Sequence, residues 1–137
     1  MVFEILITIA STLSALSTYF ISERLNQGAV RASALVTFVV SIIFLLLSKW
    51  ISDPYYTQIP VVVFGASFVG MVSSKILQQY LSVAFSGVIF SIIYLNLSPY
   101  FSGVGGALGT TACIAVICTY GFLELRNILK NKQHKKF

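Results

Sequence analysis

Apolar residues fall in five long runs, at roughly 5–21, 32–48, 59–74, 80–97 and 104–122, separated by short polar breaks. A hydrocarbon layer about 30 Å thick takes about 20 residues of α-helix to cross, within a range of about 17–25. Four of the runs meet that length. The third is short unless its helix continues through Ser73 and Ser74, and it opens with Gln58 and Pro60, where proline suits a first helical turn. It is either a full crossing or a re-entrant segment. The pattern predicts an all-α integral membrane protein of about five transmembrane helices, with 1–137 forming one membrane domain.

The chain echoes itself at a spacing of about fifty residues. Ser41-Ile42-Ile43-Phe44-Leu45-Leu46-Leu47-Ser48 matches Ser91-Ile92-Ile93-Tyr94-Leu95-Asn96-Leu97-Ser98. Shifted by one residue, Ser22-Glu23-Arg24-Leu25-Asn26-Gln27 resembles Ser73-Ser74-Lys75-Ile76-Leu77-Gln78. Thr18-Tyr19 and Thr119-Tyr120 form a weaker third echo, each followed shortly by Glu and Arg. A unit of that length carries two crossings and preserves direction, so the expectation is an imperfect parallel internal repeat, unlike inverted-topology repeats. Chance similarity among Leu-, Ile- and Ser-rich segments is the alternative.

Small residues recur on one face of these runs. Thr8, Ser11, Ala15, Thr18 and Ser22 share a face of the first run; Ala34, Thr37, Ser41, Phe44 and Ser48 do so in the second. Ala84, Gly87, Ser91, Tyr94 and Ser98 follow fifty positions later in the fourth. Because lipid tails are as apolar as Leu, helices in a bilayer associate through close backbone approach and hydroxyl bonds. The stripes are therefore packing faces first, and a polar path is the second reading.

Composition agrees with the pattern. Of 137 residues, 57% are hydrophobic and 9% charged, where soluble domains carry about 25% charge. That leaves no room for a separate soluble domain. Net charge is +5, but its placement says more. With the C-terminus inside, Arg24, Arg31, Lys75, Arg126, Lys130, Lys132, Lys135 and Lys136 all lie on the inner side, and Lys49 alone lies outside. The positive-inside rule then puts the N-terminus outside and the basic tail, 126–137, in the cytoplasm of a cell-membrane protein. Trp50, Tyr55, Tyr56, Tyr100 and Phe101 mark the outer interface, and Tyr19, Phe20, Tyr80 and Tyr120 the inner one. The tail chemistry fits anionic lipid rather than nucleic acid. Glu4 stands where a signal peptide would carry Lys or Arg, which argues against cleavage. Cys113 and Cys118, five apart on one helix, point to different faces and read as small hydrophobes.

Candidate chemistry is sparse. The sole histidine, His134, lies in the tail, and no run holds a pair of midplane carboxylates, so neither a catalytic residue, a metal ligand nor a cofactor site is expected. The chain is not expected to be an enzyme. Ser102-Gly103-Val104-Gly105-Gly106-Ala107-Leu108-Gly109-Thr110-Thr111 opens the fifth run. Glycines cost a helix about 1 kcal/mol each against Ala, so something must compensate, either a close helix crossing or carbonyls exposed to a cavity. No strand or following Lys makes it a nucleotide loop. Gly65-Ala66-Ser67-Phe68-Val69-Gly70 is the small-rich counterpart in the third run, and paired Gly-rich segments at matching repeat positions point to a transporter site. Asn96 replaces the Leu46 of the other repeat. The chain lacks the deep Glu of small multidrug exporters, and Gly109-Thr110-Thr111 only touches the Gly-Thr-Thr-Phe-Ser pattern of fluoride channels.

The first functional reading is a channel or facilitator for an ion or small polar solute. Five thin helices can hardly enclose a path alone, so a homo-oligomer or partner membrane subunit is expected. Gly65, Ser67, Asn96, Gly105, Gly106, Gly109 and Thr110 are the candidate pore or solute-contacting residues. The second reading is a non-catalytic scaffold or anchor subunit, with the glycines as packing surfaces.

Overall fold

A computed structural model describes residues 2–26, 28–47, 58–72, 74–97 and 105–134. They form five helices and no strand: α1 Val2–Arg24, α2 Ala29–Leu47, α3 Gln58–Gly70, α4 Tyr80–Leu97 and α5 Gly105–His134. Four of them are long and apolar enough to cross a membrane, and α3, with 13 residues, is not. At 1.5 Å per residue α3 spans about 20 Å. The expectation of five full crossings is thus narrowed to four helices of crossing length and one short one.

The reason α3 stops is local. After Gly70 the chain tightens, with Met71 N–H donating to Phe68 O and Val72 N–H to Val69 O, both at 3.3 Å, as helix ends do. It then turns back toward α1, where buried Leu77 offers its carbonyl to the Tyr19 hydroxyl at 2.8 Å. Ser74 N–H reaches the Glu23 carboxylate at 3.3 Å. The α1–α2 connection is shorter and sharper. Asn26 (φ 50°) and Gly28 (φ 82°) hold left-handed backbone there, a conformation that glycine takes freely and Asn tolerates.

Short α3 sits at the centre. It packs against each of the other four helices, while α2, α1, α4 and α5 follow one another around it. Among the described residues α5 and α2 make no contact, so the ring is open on that side. Val61 and Phe64 of α3 are exposed, whereas Ile59, Val62, Gly65, Ala66, Val69 and Gly70 are buried. The core is made of Ile7, Val62, Val69, Leu77, Val83 and Phe90 with the small residues Ala15, Ala66, Ala112 and Ala115. Large apolar side chains cover the outside instead, among them Ile9, Leu13, Phe38, Leu45, Leu46 and Leu81. A continuous apolar exterior of this kind is compatible with a membrane location.

Boundaries differ from the sequence pattern mainly at α5. The apolar run ends at 122, but the helix continues through the basic residues to His134, about 45 Å in all. The segment read as a tail is therefore helical for most of its length. The echoing segments agree in part: Ser41–Leu47 and Ser91–Leu97 both end helices, whereas Glu23 and Arg24 are helical and their counterparts Ser74 and Lys75 are turn. The loop holding Lys49, Trp50, Tyr55 and Tyr56, the segment holding Tyr100, Phe101, Ser102, Gly103 and Val104, and the positions Ser48, Ser73, Ser98, Lys135 and Lys136 lie outside the described residues.

Candidate functional site

Every buried polar side chain in the core is a hydroxyl: Ser11, Ser14, Thr18, Ser33, Ser67, Ser82, Ser86, Ser91, Thr111 and Thr119 among the described residues, with the Tyr19 phenol beside them. Most of these tie one helix to another. Ser11 Oγ lies 3.0 Å from Thr8 O of its own helix and 3.2 Å from Gly87 O of α4, sharing its proton between them, and Ser14 donates to Val63 O at 2.7 Å. Ser91 reaches Thr8 Oγ1 at 3.2 Å. Ser86 donates to Thr119 Oγ1 at 2.7 Å, and Thr119 passes its own proton to Ala115 O at 3.0 Å. Ser33 and Ser67 lie 2.6 Å apart. Because Ser67 donates to Phe64 O at 2.7 Å, and a hydroxyl has one proton to give, Ser33 is the donor of the pair. These bonds also fix direction: Ser11–Gly87 and Thr8–Ser91 run α4 antiparallel to α1.

Where the hydroxyls meet, backbones approach closely. A Cβ on Gly87 would stand 3.0 Å from Thr12 Cα. One on Gly65 would stand 2.7 Å from Phe90 Cζ and 3.0 Å from Leu108 Cδ2. Gly65 is thus filled by aromatic and aliphatic neighbours, and Ser67 is taken up by Ser33 and Phe64. Both candidate residues of α3 are helix-packing positions within this chain.

The remaining candidates lie elsewhere. Gly105, Gly106 and Gly109 have open space where a Cβ would stand, and Thr110 is exposed with its hydroxyl on Ala107 O at 2.9 Å. Asn96 is exposed and donates to Ile92 O of its own helix at 2.7 Å. The structure therefore separates the seven candidates into a buried α3 pair, a small-residue patch on the surface of α5 and a lone amide on α4. At 100° per residue, Gly109 lies about 140° round α5 from Phe122. Phe122 packs against Phe85 of α4, ring centroids 5.9 Å apart. Gly109 is accordingly turned away from the contact that Phe122 makes with α4.

Sequence reasoning passed over Ser33, Ser86 and Thr119. In α2 it placed the small face on Ala34, which is exposed, while the neighbouring Ala32 and Ser33 are buried. A serine in an apolar run carries no mark of whether it meets a partner on another helix, so no signal in the sequence singles these out. Comparison with known proteins finds no family model, no curated protein and no solved structure that matches this chain.

Proposed function

We propose that the chain is a multi-pass cell-membrane protein that assembles with further copies of itself and forms a channel or facilitator for an ion or small polar solute at the contact between them. The carrying observation is the open side of the bundle. Among the described residues four helices surround α3 without closing, and the exposed Gly105, Gly106 and Thr110, with half-buried Gly109, form a small-residue patch on α5. Small residues on an outward face let a second helix approach closely, and glycine carbonyls there are available to a solute. Within one copy most of the buried hydroxyls are spent on helix contacts, so a path between copies is the consistent placement.

In this reading the N-terminus is outside and the basic C-terminal end of α5 is cytoplasmic, as the distribution of Lys and Arg requires. An ancestral duplication of a two-helix unit also belongs to the proposal. Ser86 lies fifty-three positions after Ser33 and Thr119 fifty-two after Ser67, and each pair forms a hydroxyl–hydroxyl bond between consecutive helices. The offset is within about one helical turn of the fifty-residue sequence spacing. No catalytic role is proposed.

The second reading, a scaffold or anchor subunit for a larger assembly, is favoured by the use of most buried hydroxyls in helix contacts, as packing alone requires. Proteoliposomes separate the two. Thr110→Val and Asn96→Leu touch only bonds within their own helices, so both variants should assemble normally. Altered flux or selectivity supports the channel. Wild-type vesicles without flux for common ions and small solutes would turn the assignment to the scaffold.

A further inference from the structure

At the end of the bundle where α4 begins, the turn at 74–79 and the C-terminal half of α5 border an open cavity of about 440 Å³. Lys75, Gln78 and Gln79 line it from the turn, and Arg126, Asn127 and Lys130 from α5. Three cations and three amide side chains thus converge on one space, with Glu124 as the single carboxylate among the lining residues. The Gln79 backbone carbonyl accepts Ser82 N–H at 3.0 Å and Val83 N–H at 3.3 Å, so α4 begins at the rim of this cavity. The assembly of donors suits a phosphate oxyanion, which takes several charge-assisted hydrogen bonds at once.

What distinguishes a headgroup from a free anion is the surface next to it. Large, apolar, exposed side chains stand on the same two helices within three residues of the lining Ser82 and Tyr120, namely Leu81 and Phe85 on α4 and Ile117 and Phe122 on α5. An amphiphile needs both, a charged site for its head and an apolar exterior for its acyl chains. The long α5 makes this possible, because Arg126 and Lys130 lie beyond its apolar run and alongside the start of α4. We infer that this cavity is a binding site for the phosphate headgroup of an anionic phospholipid. The inference rests on the membrane reading above and adds a defined site and ligand class to it.

The test uses the full chain, delipidated in detergent and titrated with phosphatidylglycerol or phosphatidylcholine, with bound lipid counted by native mass spectrometry. Wild type should retain phosphatidylglycerol preferentially. Arg126→Gln with Lys130→Gln should weaken that binding by about thirtyfold, the loss of two cations near an anionic headgroup. Arg24→Gln with Lys132→Gln removes the same charge from positions that do not line the cavity, and should leave the preference nearly intact. Equal losses in the two double variants would mean diffuse attraction and overturn the site, as would no loss in either. Displacement of the lipid by inorganic phosphate at comparable concentration would overturn the lipid assignment in favour of a soluble anion. Carbonate extraction of the same cells reads the underlying assumption separately. Protein released from membranes defeats the membrane reading, whereas retained protein without phosphatidylglycerol preference defeats only this inference.

Discussion

Gly70 of α3 lies directly against Ala15 of α1. A Cβ added to Gly70 would collide with the Ala15 carbonyl oxygen, and would stand 2.7 Å from Thr18 Cβ and 3.1 Å from the Tyr19 amide nitrogen. Two of those three neighbours belong to backbone in the middle of a helix, which cannot swing aside as a side-chain tip can. The approach of α1 to the central helix therefore depends on the absence of one methyl group.

Gly70→Ala should consequently separate α1 from α3 and destabilise the protein by about 1–3 kcal/mol, the usual cost of overpacking a closed site. Thermal unfolding in detergent measures it. Gly65→Ala should cost less, because its nearest neighbours are the movable ends of Phe90 and Leu108. Equal melting temperatures for Gly70→Ala and wild type would contradict the close crossing.

The α5 glycines should behave in the opposite way. With open space at Gly105 and Gly109, Ala at each position gains about 1 kcal/mol of helix propensity without a clash inside one copy. Gly106→Leu should likewise fold, yet block the close approach of a second helix. Size-exclusion chromatography with light scattering should then show a folded, smaller species. An oligomer that survives Gly106→Leu would place the contact between copies on another face.

Thr18 offers a test of polar satisfaction. Its hydroxyl is buried and has no hydrogen-bond partner among the described residues, whereas that of Ser14, one turn earlier, is bonded to Val63 O at 2.7 Å. Leaving a buried polar group unpaired costs about 1–3 kcal/mol. Thr18→Val keeps the shape and removes the orphan, so it should raise the melting temperature. Ser14→Ala removes a made bond and should lower it slightly, by about 0.6 kcal/mol on the average for bilayer hydrogen bonds. A fall in both variants would show that Thr18 has a partner in solution.

Orientation is open to direct labelling. Single cysteines at Ser52 and Lys132, in a background without Cys113 and Cys118, should react with an impermeant reagent from opposite sides of the membrane. Ser52 should label from outside and Lys132 only after permeabilisation. Labelling of both from outside would exclude the proposed topology.

The sequence alone determined the number and class of the elements. Apolar runs of crossing length with charge confined to their ends allow little except helices, because each backbone amide needs an internal partner once water is excluded. The start of α4 at Tyr80 and its end at Leu97 follow directly from that pattern. The end of α5 did not, since hydropathy stops at the charged residues while backbone hydrogen bonding continues through Lys130 to His134. Nor did the rank of the third run. Its brevity left it either a full crossing or a re-entrant segment, but tertiary packing makes it the centre, and a helix enclosed by neighbours need not itself reach both faces of a membrane. The candidate residues show the same limit. Gly65 and Gly109 look alike in sequence, each a glycine among small residues. Only packing decides that Phe90 and Leu108 fill the space beside the first and that nothing among the described residues fills the space beside the second. A glycine's neighbours across the fold come from distant parts of the chain, so its role is a property of the assembled bundle rather than of the local run.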